Sequence, residues 1–223
     1  MKTFAYRALG CKVNQFEGDE ARSFLEFKGL VEVPDRADLV VMNTCAVTHR
    51  AVQKGRQTMR RLLAENPQAA AVLTGCMTPD DVPAFEAMAP VVHIAVNRNR
   101  DTLRNTLSEI VGPTAPGEPA KDQPRKRAYL KVQDGCNLRC SYCIIPTLRG
   151  RSRSRPLDEC LAEFDQLQER GHLEIVLCGI HPVIGAMSSA WKSPISVALS
   201  SSAADPGPGF VFPRSRPTSF RRP

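Results

Sequence analysis

The order of hydrophobic and polar residues in the first half of the chain changes repeatedly between a strand-like and a helix-like period. The pattern predicts short buried strands at residues 3–9, 38–42, 70–73 and 91–96. It predicts helices at residues 15–28, 48–64, 79–88 and 101–110. Strands that alternate with helices are typical of a doubly wound parallel sheet, so we expect an α/β fold for this unit.

A change of composition divides the chain after residue 111. Residues 112–125 are rich in Pro and Gly and have no periodicity, which predicts a linker after an α/β domain at residues 1–111. Residues 126–181 then carry a strand, a cysteine-rich loop, a helix and a second strand. One such βαβ unit is the beginning of a larger parallel barrel or sheet, and here we expect it to be incomplete.

The last segment, residues 182–223, is rich in Ser and Pro and has no sustained period. Such a composition buries too little apolar surface to offset the entropy of ordering the chain. We therefore expect a disordered tail.

Composition and charge narrow the function classes. The chain has 223 residues, eight cysteines and a net charge of +7. The chain has neither an apolar run long enough to span a membrane nor a signal peptide at its N-terminus, so we expect a cytoplasmic protein. In that compartment cysteines more often bind metal or do chemistry than form disulfides. The positive charge is compatible with RNA as a partner and also with a merely basic surface.

Three cysteines of the second unit form a C-x3-C-x2-C triplet, Cys136, Cys140 and Cys143, just after a predicted strand. Structural zinc sites usually have four ligands. Three thiolates suit three corners of an iron–sulfur cubane and leave one iron open to a substrate. This spacing predicts an iron–sulfur site, and zinc or reactive thiols are the alternatives.

A second set consists of Cys11, Cys45 and Cys76, each just after a predicted strand. Ligands gather at the carboxyl ends of the strands in a parallel α/β sheet, so these cysteines are expected to converge on one edge. They can hold a second three-cysteine cluster, or they can be buried structural thiols, which are common.

Several motifs give these cysteines a family context. They stand at residues 9–15 (LGCKVNQ), 43–48 (NTCAVT), 74–76 (TGC), 131–136 (KVQDGC), 142–146 (YCIIP) and 149–156 (RGRSRSRP). In this order they resemble the radical S-adenosylmethionine methylthiotransferases, from residue 3 to about residue 181. The LGCKVNQ motif is most similar to the branch that modifies N6-threonylcarbamoyladenosine in tRNA.

The resemblance implies a transferase with two [4Fe–4S] clusters. The cluster on Cys136, Cys140 and Cys143 binds and cleaves S-adenosylmethionine, and the cluster on Cys11, Cys45 and Cys76 carries the sulfur. The implied product has a methylthio group at C2 of the adenine ring, next to the anticodon. A radical is needed because that position has no acidic proton to remove. An external one-electron donor and a monomeric chain are also expected.

The resemblance assigns Tyr142 a place near the adenine of the cofactor, with simple loop packing as the alternative. The basic run that follows contains Arg149, Arg151, Arg153 and Arg155. Arginines suit phosphate, so these four are candidate RNA contacts. The alternatives are a solvated loop and arginines that brace the cluster and its cofactor.

The family pattern stops after His181. We expect a truncated chain, with a frameshift near Pro182 as the favoured origin of the tail. A single βαβ unit is then expected to leave Leu130, Val132, Ile175 and Leu177 partly uncovered. Two other function classes stay open, a catalytically inactive iron–sulfur-binding fragment of the family and a zinc-stabilised nucleic-acid-binding module.

Overall fold

A five-stranded parallel sheet is the centre of the N-terminal unit in a computed structural model, which describes residues 1–89, 92–96, 100–113 and 127–181. Its strands are β1 (Thr3–Ala8), β2 (Val31–Glu32), β3 (Leu39–Thr44), β4 (Ala70–Gly75) and β5 (Val92–Val96). They lie in the order β2-β1-β3-β4-β5, and every neighbouring pair is parallel. Strand β3 is buried along its whole length because it is central.

Helices cover both faces of this sheet. They are α1 (Lys12–Phe27), α2 (His49–Glu65), α3 (Val82–Glu86), which follows a 3-10 turn at Pro79–Asp81, and α4 (Arg100–Val111). Helices α1 and α4 pack on one face through Leu25 and Leu107, and α2 and α3 pack on the other through Met59 and Phe85. The predicted doubly wound α/β fold is confirmed.

The element boundaries differ from the prediction mainly at α1. This helix begins at Lys12, three residues before the predicted start at Gln15, and Cys11 is its N-cap. The earlier start matters because it places Asn14 and Glu17 on a helix, and both side chains are buried. Strand β2 was not predicted, because two residues are too few to show a period.

The second unit contains the expected βαβ arrangement. Its elements are β6 (Arg127–Lys131), β7 (Gln133–Asp134), α5 (Ile145–Arg149), β8 (Arg153–Ser154), α6 (Leu157–Glu169) and β9 (Glu174–Cys178). Strands β6 and β9 are parallel neighbours, and α6 is the helix between them in the chain. Strands β7 and β8 form a short antiparallel pair across the cysteine loop.

The expectation of uncovered strands in this unit is wrong for two of its four residues. Leu130 is 1% and Val132 is 5% exposed, because α6 packs on them through Phe164. Ile175 and Leu177 are partly buried against the same cluster, as expected.

Helix α1 of the first unit covers the opposite face of the β6–β9 pair. Its Val13 and Phe16 pack with Cys178 of β9 and, more peripherally, with Tyr129 of β6. The same helix therefore packs on two sheets, and the sequence pattern did not predict this second contact.

The predicted linker falls largely on residues 114–126 and the predicted tail on residues 182–223, both outside the described residues. Across the described ranges, no helix is both long and apolar enough to cross a membrane.

Candidate functional site

The first cysteine set lies at the carboxyl edge of the N-terminal sheet. Cys45 directly follows β3 and Cys76 directly follows β4, and these two strands are neighbours. Both thiols are buried, whereas Cys11, before α1, is exposed. The turn after β1, which carries Cys11, packs closely against this edge at Gly10. A Cβ atom on Gly10 would lie 2.8 Å from Cys45 Cβ and 3.2 Å from Cys45 Sγ.

Two buried asparagines fix the loops that carry these cysteines. Asn14 Nδ2 donates hydrogen bonds to the carbonyl oxygens of Leu9 (3.0 Å) and Thr44 (2.7 Å). Asn43 Nδ2 donates in turn to the carbonyl oxygen of Asn14 at 3.0 Å. The turn after β1 is thereby tied to the end of β3, so the loops that hold Cys11 and Cys45 are linked by side-chain hydrogen bonds.

The second cysteine set lies in the loop between β7 and α5. Cys136 is 9% exposed, Cys140 is exposed, and Cys143 is half-buried. The backbone N–H of Leu138 donates to Cys136 Sγ at 3.4 Å, and the N–H of Cys143 donates to the carbonyl oxygen of Cys140 at 3.0 Å. Short-range hydrogen bonds therefore order the segment that carries the three cysteines.

Gln133 contacts the start of this loop and is itself 1% exposed. Its Nε2 donates to the carbonyl oxygen of Gly135 at 2.6 Å and to Ser152 Oγ at 3.0 Å. Its Oε1 accepts a hydrogen bond from the backbone N–H of His181 at 2.8 Å. One side chain thus joins the start of the cysteine loop, the basic run and the segment after β9.

The residues present fit iron–sulfur clusters by their donor chemistry. Each set offers three thiols, the usual ligands of such clusters, and a backbone N–H already points at one sulfur. Within the described ranges no three His, Cys, Asp or Glu side chains are arranged closely enough to hold a single metal ion.

A group of charged side chains lies buried between the two units. Arg149, at the end of α5, is 2% exposed and pairs with Glu17 of α1 (Nη1 to Oε1, 2.9 Å) and with Asp134 (Nη1 to Oδ1, 3.1 Å). Lys131 Nζ pairs with the same two carboxylates, at 2.9 Å from Glu17 and 3.2 Å from Asp134. Two positive and two negative groups therefore meet, and we name this quartet the interface ion cluster.

The electrostatics of the interface ion cluster favour the charged forms of Asp134, Lys131 and Arg149. Burial raises the pKa of Asp134, but Arg149 and Lys131 outweigh it, so the pKa lies below its usual value. Burial lowers the pKa of Lys131 and of Arg149, but Glu17 and the other nearby negative groups outweigh it and raise both. Removal of one partner would leave a buried charge uncompensated, which is costly.

Two buried thiols have raised pKa values. Burial raises the pKa of Cys76 to about 11, although the adjacent Arg149 acts in the opposite direction. Burial raises the pKa of Cys178 to about 12. Cys178 packs in the apolar contact between α1 and β9, in keeping with a structural thiol.

The structure separates the four arginines of the basic run. Arg149 belongs to the interface ion cluster, and Arg155 is half-buried, donating to the carbonyl oxygen of Lys131 at 2.9 Å and pairing with Glu163 at 2.7 Å. Both guanidinium groups are bound within the fold, which leaves little of either for phosphate. Arg151 and Arg153 are exposed, and so is Tyr142, at 91%.

Sequence reasoning missed the residues that join the two units. Asn14, Lys131 and Asp134 lie within the motifs that carry the family resemblance, but nothing in the sequence indicated their contacts. Glu17 carried a signal that was available, because it stands four residues from both Val13 and Ala21 and so lies on the apolar stripe of an amphipathic helix.

Two family matches cover most of the described chain. Residues 3–97 match the uncharacterized protein family UPF0004, and residues 130–188 match the radical SAM superfamily. The second match implies a [4Fe–4S] cluster and S-adenosylmethionine as cofactors. The first range covers the N-terminal sheet but not α4, and the second begins within β6 and ends seven residues beyond residue 181.

Curated relatives carry the same similarity further. The chain is 40% identical to a threonylcarbamoyladenosine tRNA methylthiotransferase MtaB of Chlamydia pneumoniae, over 80% of this chain and 43% of the relative. It is 36% identical to the MtaB of Bacillus subtilis, over 81% of this chain and 44% of the relative. A ribosomal protein uS12 methylthiotransferase RimO of Aeromonas salmonicida is 35% identical, over 76% of this chain and 40% of the relative. These matches confirm the methylthiotransferase resemblance, and the chain spans less than half the length of each of these relatives.

Proposed function

We propose that this chain, which combines a UPF0004 unit with a radical SAM unit as the methylthiotransferases do, takes part in tRNA methylthiolation. The proposed reaction places a methylthio group at C2 of N6-threonylcarbamoyladenosine next to the anticodon. The observation that carries the proposal is that Cys76 of the first set and the residues that flank the second set, Asp134 and Arg149, meet at one interface. Cys76 of the first set accepts a hydrogen bond from Arg149, which stands one short helix after Cys143 of the second set.

We assign one [4Fe–4S] cluster to Cys136, Cys140 and Cys143 and a second to Cys11, Cys45 and Cys76. When bound, the first cluster supplies the electron that cleaves S-adenosylmethionine, and the second carries sulfur. The chain's own residues order the ligands. Leu138 N–H donates to the sulfur of Cys136, and Gln133 joins the start of the cysteine loop to Ser152.

The remaining assignments are part of the same proposal. Tyr142 is proposed to lie near the adenine of S-adenosylmethionine, and its exposure leaves the ring accessible. The chain is proposed to act in the cytoplasm as a monomer, with an external one-electron donor. The proposed domain limits are residues 1–111 and 126–181, with a linker at residues 112–125.

Arg151 and Arg153 are proposed to contact tRNA phosphates. Replacing both with Gln is expected to weaken tRNA binding about tenfold at moderate salt. The slope of the logarithm of the binding constant against the logarithm of salt concentration is expected to become shallower by somewhat less than about 2, because two phosphate contacts are lost. Measurement of the tRNA dissociation constant at several salt concentrations checks this. Arg170→Gln removes charge from another exposed surface position and serves as the control. An unchanged salt slope in the double variant would contradict the phosphate role.

The test of the function is iron and sulfide content after anaerobic reconstitution, followed by reduction in the presence of S-adenosylmethionine and tRNA. We expect about eight irons per chain, because each set of three cysteines holds one cubane. We also expect cleavage of the cofactor and a methylthio group on the tRNA.

The other outcomes distinguish the alternatives. About four irons without cofactor cleavage would replace the proposal with an inactive iron–sulfur-binding fragment. Zinc without iron or sulfide would replace it with a nucleic-acid-binding module.

A further inference from the structure

Arg149 uses nearly every donor of its guanidinium group. Nε donates to Cys76 Sγ at 3.2 Å, Nη1 donates to Glu17 Oε1 at 2.9 Å, and Nη2 donates to Asn14 Oδ1 and to Glu17 Oε2. Nη1 also lies 3.1 Å from Asp134 Oδ1. A planar fork of five donors can satisfy several acceptors at once in a way that an ammonium cannot.

The partners of Arg149 come from both units. Asn14, Glu17 and Cys76 belong to the N-terminal unit, at the carboxyl edge of its sheet, whereas Asp134 lies two residues before Cys136. Asn14 also holds the turn before Cys11 through its bond to the Leu9 carbonyl oxygen. The guanidinium group is thus bonded to a candidate ligand of the first set and to residues that fix the loops of both sets.

Stability of the fold does not account for this arrangement. The desolvation penalty of a buried ion pair is about as large as its favourable Coulomb energy. Proteins with apolar side chains of similar size in its place are often equally stable. The arrangement does determine geometry, because all of the acceptors must stand at the correct distances from one rigid plane.

We propose that Arg149 is a positioning residue that sets the sulfur of Cys76 relative to the Cys136–Cys143 loop. Its Nε–H also stabilises added negative charge on a cluster held by Cys76, since hydrogen bonds to sulfur and nearby charge adjust cluster potentials. The positioning part stands on the contacts of the protein alone. The second part rests on the proposed function.

The first test uses the full chain without clusters. Arg149→Met keeps an unbranched stem that matches the aliphatic part of arginine and removes the charge and the donors. Amide hydrogen exchange is expected to become at least about tenfold faster in peptides covering residues 12–18 and 133–138, because Glu17 and Asp134 lose one of their two shared partners. Arg170→Met changes an exposed arginine and is expected to leave these peptides unchanged. Equal exchange in the Arg149→Met chain and the unmodified chain would overturn the positioning role.

The second test uses the reconstituted chain in a Cys140→Ala background, so that only the cluster of the first set gives a signal. The midpoint potential, followed by electron paramagnetic resonance, is expected to shift to a more negative value in Arg149→Met. Arg149→Lys restores the charge but not the fork, so it is expected to restore only part of the shift. A residue that merely fills space would loosen the interface without moving the potential, and an unchanged potential overturns the tuning role.

Failure of the proposed function is distinguishable from failure of this inference. If the unmodified chain binds no iron, the proposed function fails, and the hydrogen-exchange test still decides the positioning role. If Arg149→Met does not fold, Arg149→Lys is compared with the unmodified chain in both tests. It is expected to change in the same directions by smaller amounts, and equality with the unmodified chain overturns the inference.

Discussion

Replacing Cys140 with alanine is expected to halve the iron content, from about eight to about four per chain, and to abolish cleavage of S-adenosylmethionine. Two remaining thiolates in the loop, those of Cys136 and Cys143, cannot hold a cubane that needs three protein ligands. Cys140 is exposed, so its loss is expected to change the free energy of unfolding by less than about 0.5 kcal/mol. The variant therefore separates the loss of chemistry from the loss of folding.

The measurements for Cys140→Ala are iron and sulfide per chain, 5′-deoxyadenosine formed after reduction, and the chemical denaturation midpoint. Cys160→Ala is the control, because it removes a thiol of the same unit that is 3% exposed and packs in the apolar core beneath α6. It is expected to keep all of the iron and to cost about 1 kcal/mol of stability through a small cavity. Full iron content together with cofactor cleavage in Cys140→Ala would refute the ligand assignment.

Replacing Gly75 with alanine is expected to lower the free energy of unfolding by about 3 kcal/mol or more. The same change is expected to prevent cluster binding by the first cysteine set. Gly75 ends β4, directly before Cys76, with φ at +100°. A Cβ atom there would overlap Asn43 Oδ1 and the backbone carbonyl oxygen of Thr44, the residue before Cys45. Relief of this overlap requires the ends of β3 and β4 to separate, and both buried cysteines move with them.

Gly112→Ala provides the control for backbone conformation alone. Gly112 also has a positive φ, +74°, but a Cβ atom there would meet nothing within 4 Å. We expect a cost of about 1 kcal/mol and full iron content, because only the φ preference is violated. Denaturant unfolding and iron analysis of the two variants decide the point, and equal losses would show that close packing at Gly75 is unimportant.

These variants probe an interface that depends on a helix with two roles. The buried residues of α1 include Ala21 and Leu25, which face the N-terminal sheet, and Val13 and Phe16, which face β6 and β9. Between them, Glu17 meets Arg149 and Lys131. The packing of α1 on both sheets therefore places the interface ion cluster beside the cysteines.

The sequence by itself determined the order and type of the main elements. Strands such as β3 and helices such as α2 are recognised from the period of apolar residues within one short stretch of sequence. That period does not depend on how the elements are arranged in the α/β fold. The sequence also determined that Cys45 and Cys76 each follow a buried strand, since both positions are local features of the chain. The C-x3-C-x2-C spacing likewise needs no tertiary information.

Only the tertiary structure decided which charged residues face solvent and which join the two units. The four arginines of the basic run are equivalent in the sequence, yet Arg149 is buried against Glu17, 132 positions away in the chain. No periodicity relates residues so far apart, because their meeting depends on how α1 packs against β6. The physical reason is that a guanidinium group can be buried only where acceptors from several segments converge, and folding alone creates that place.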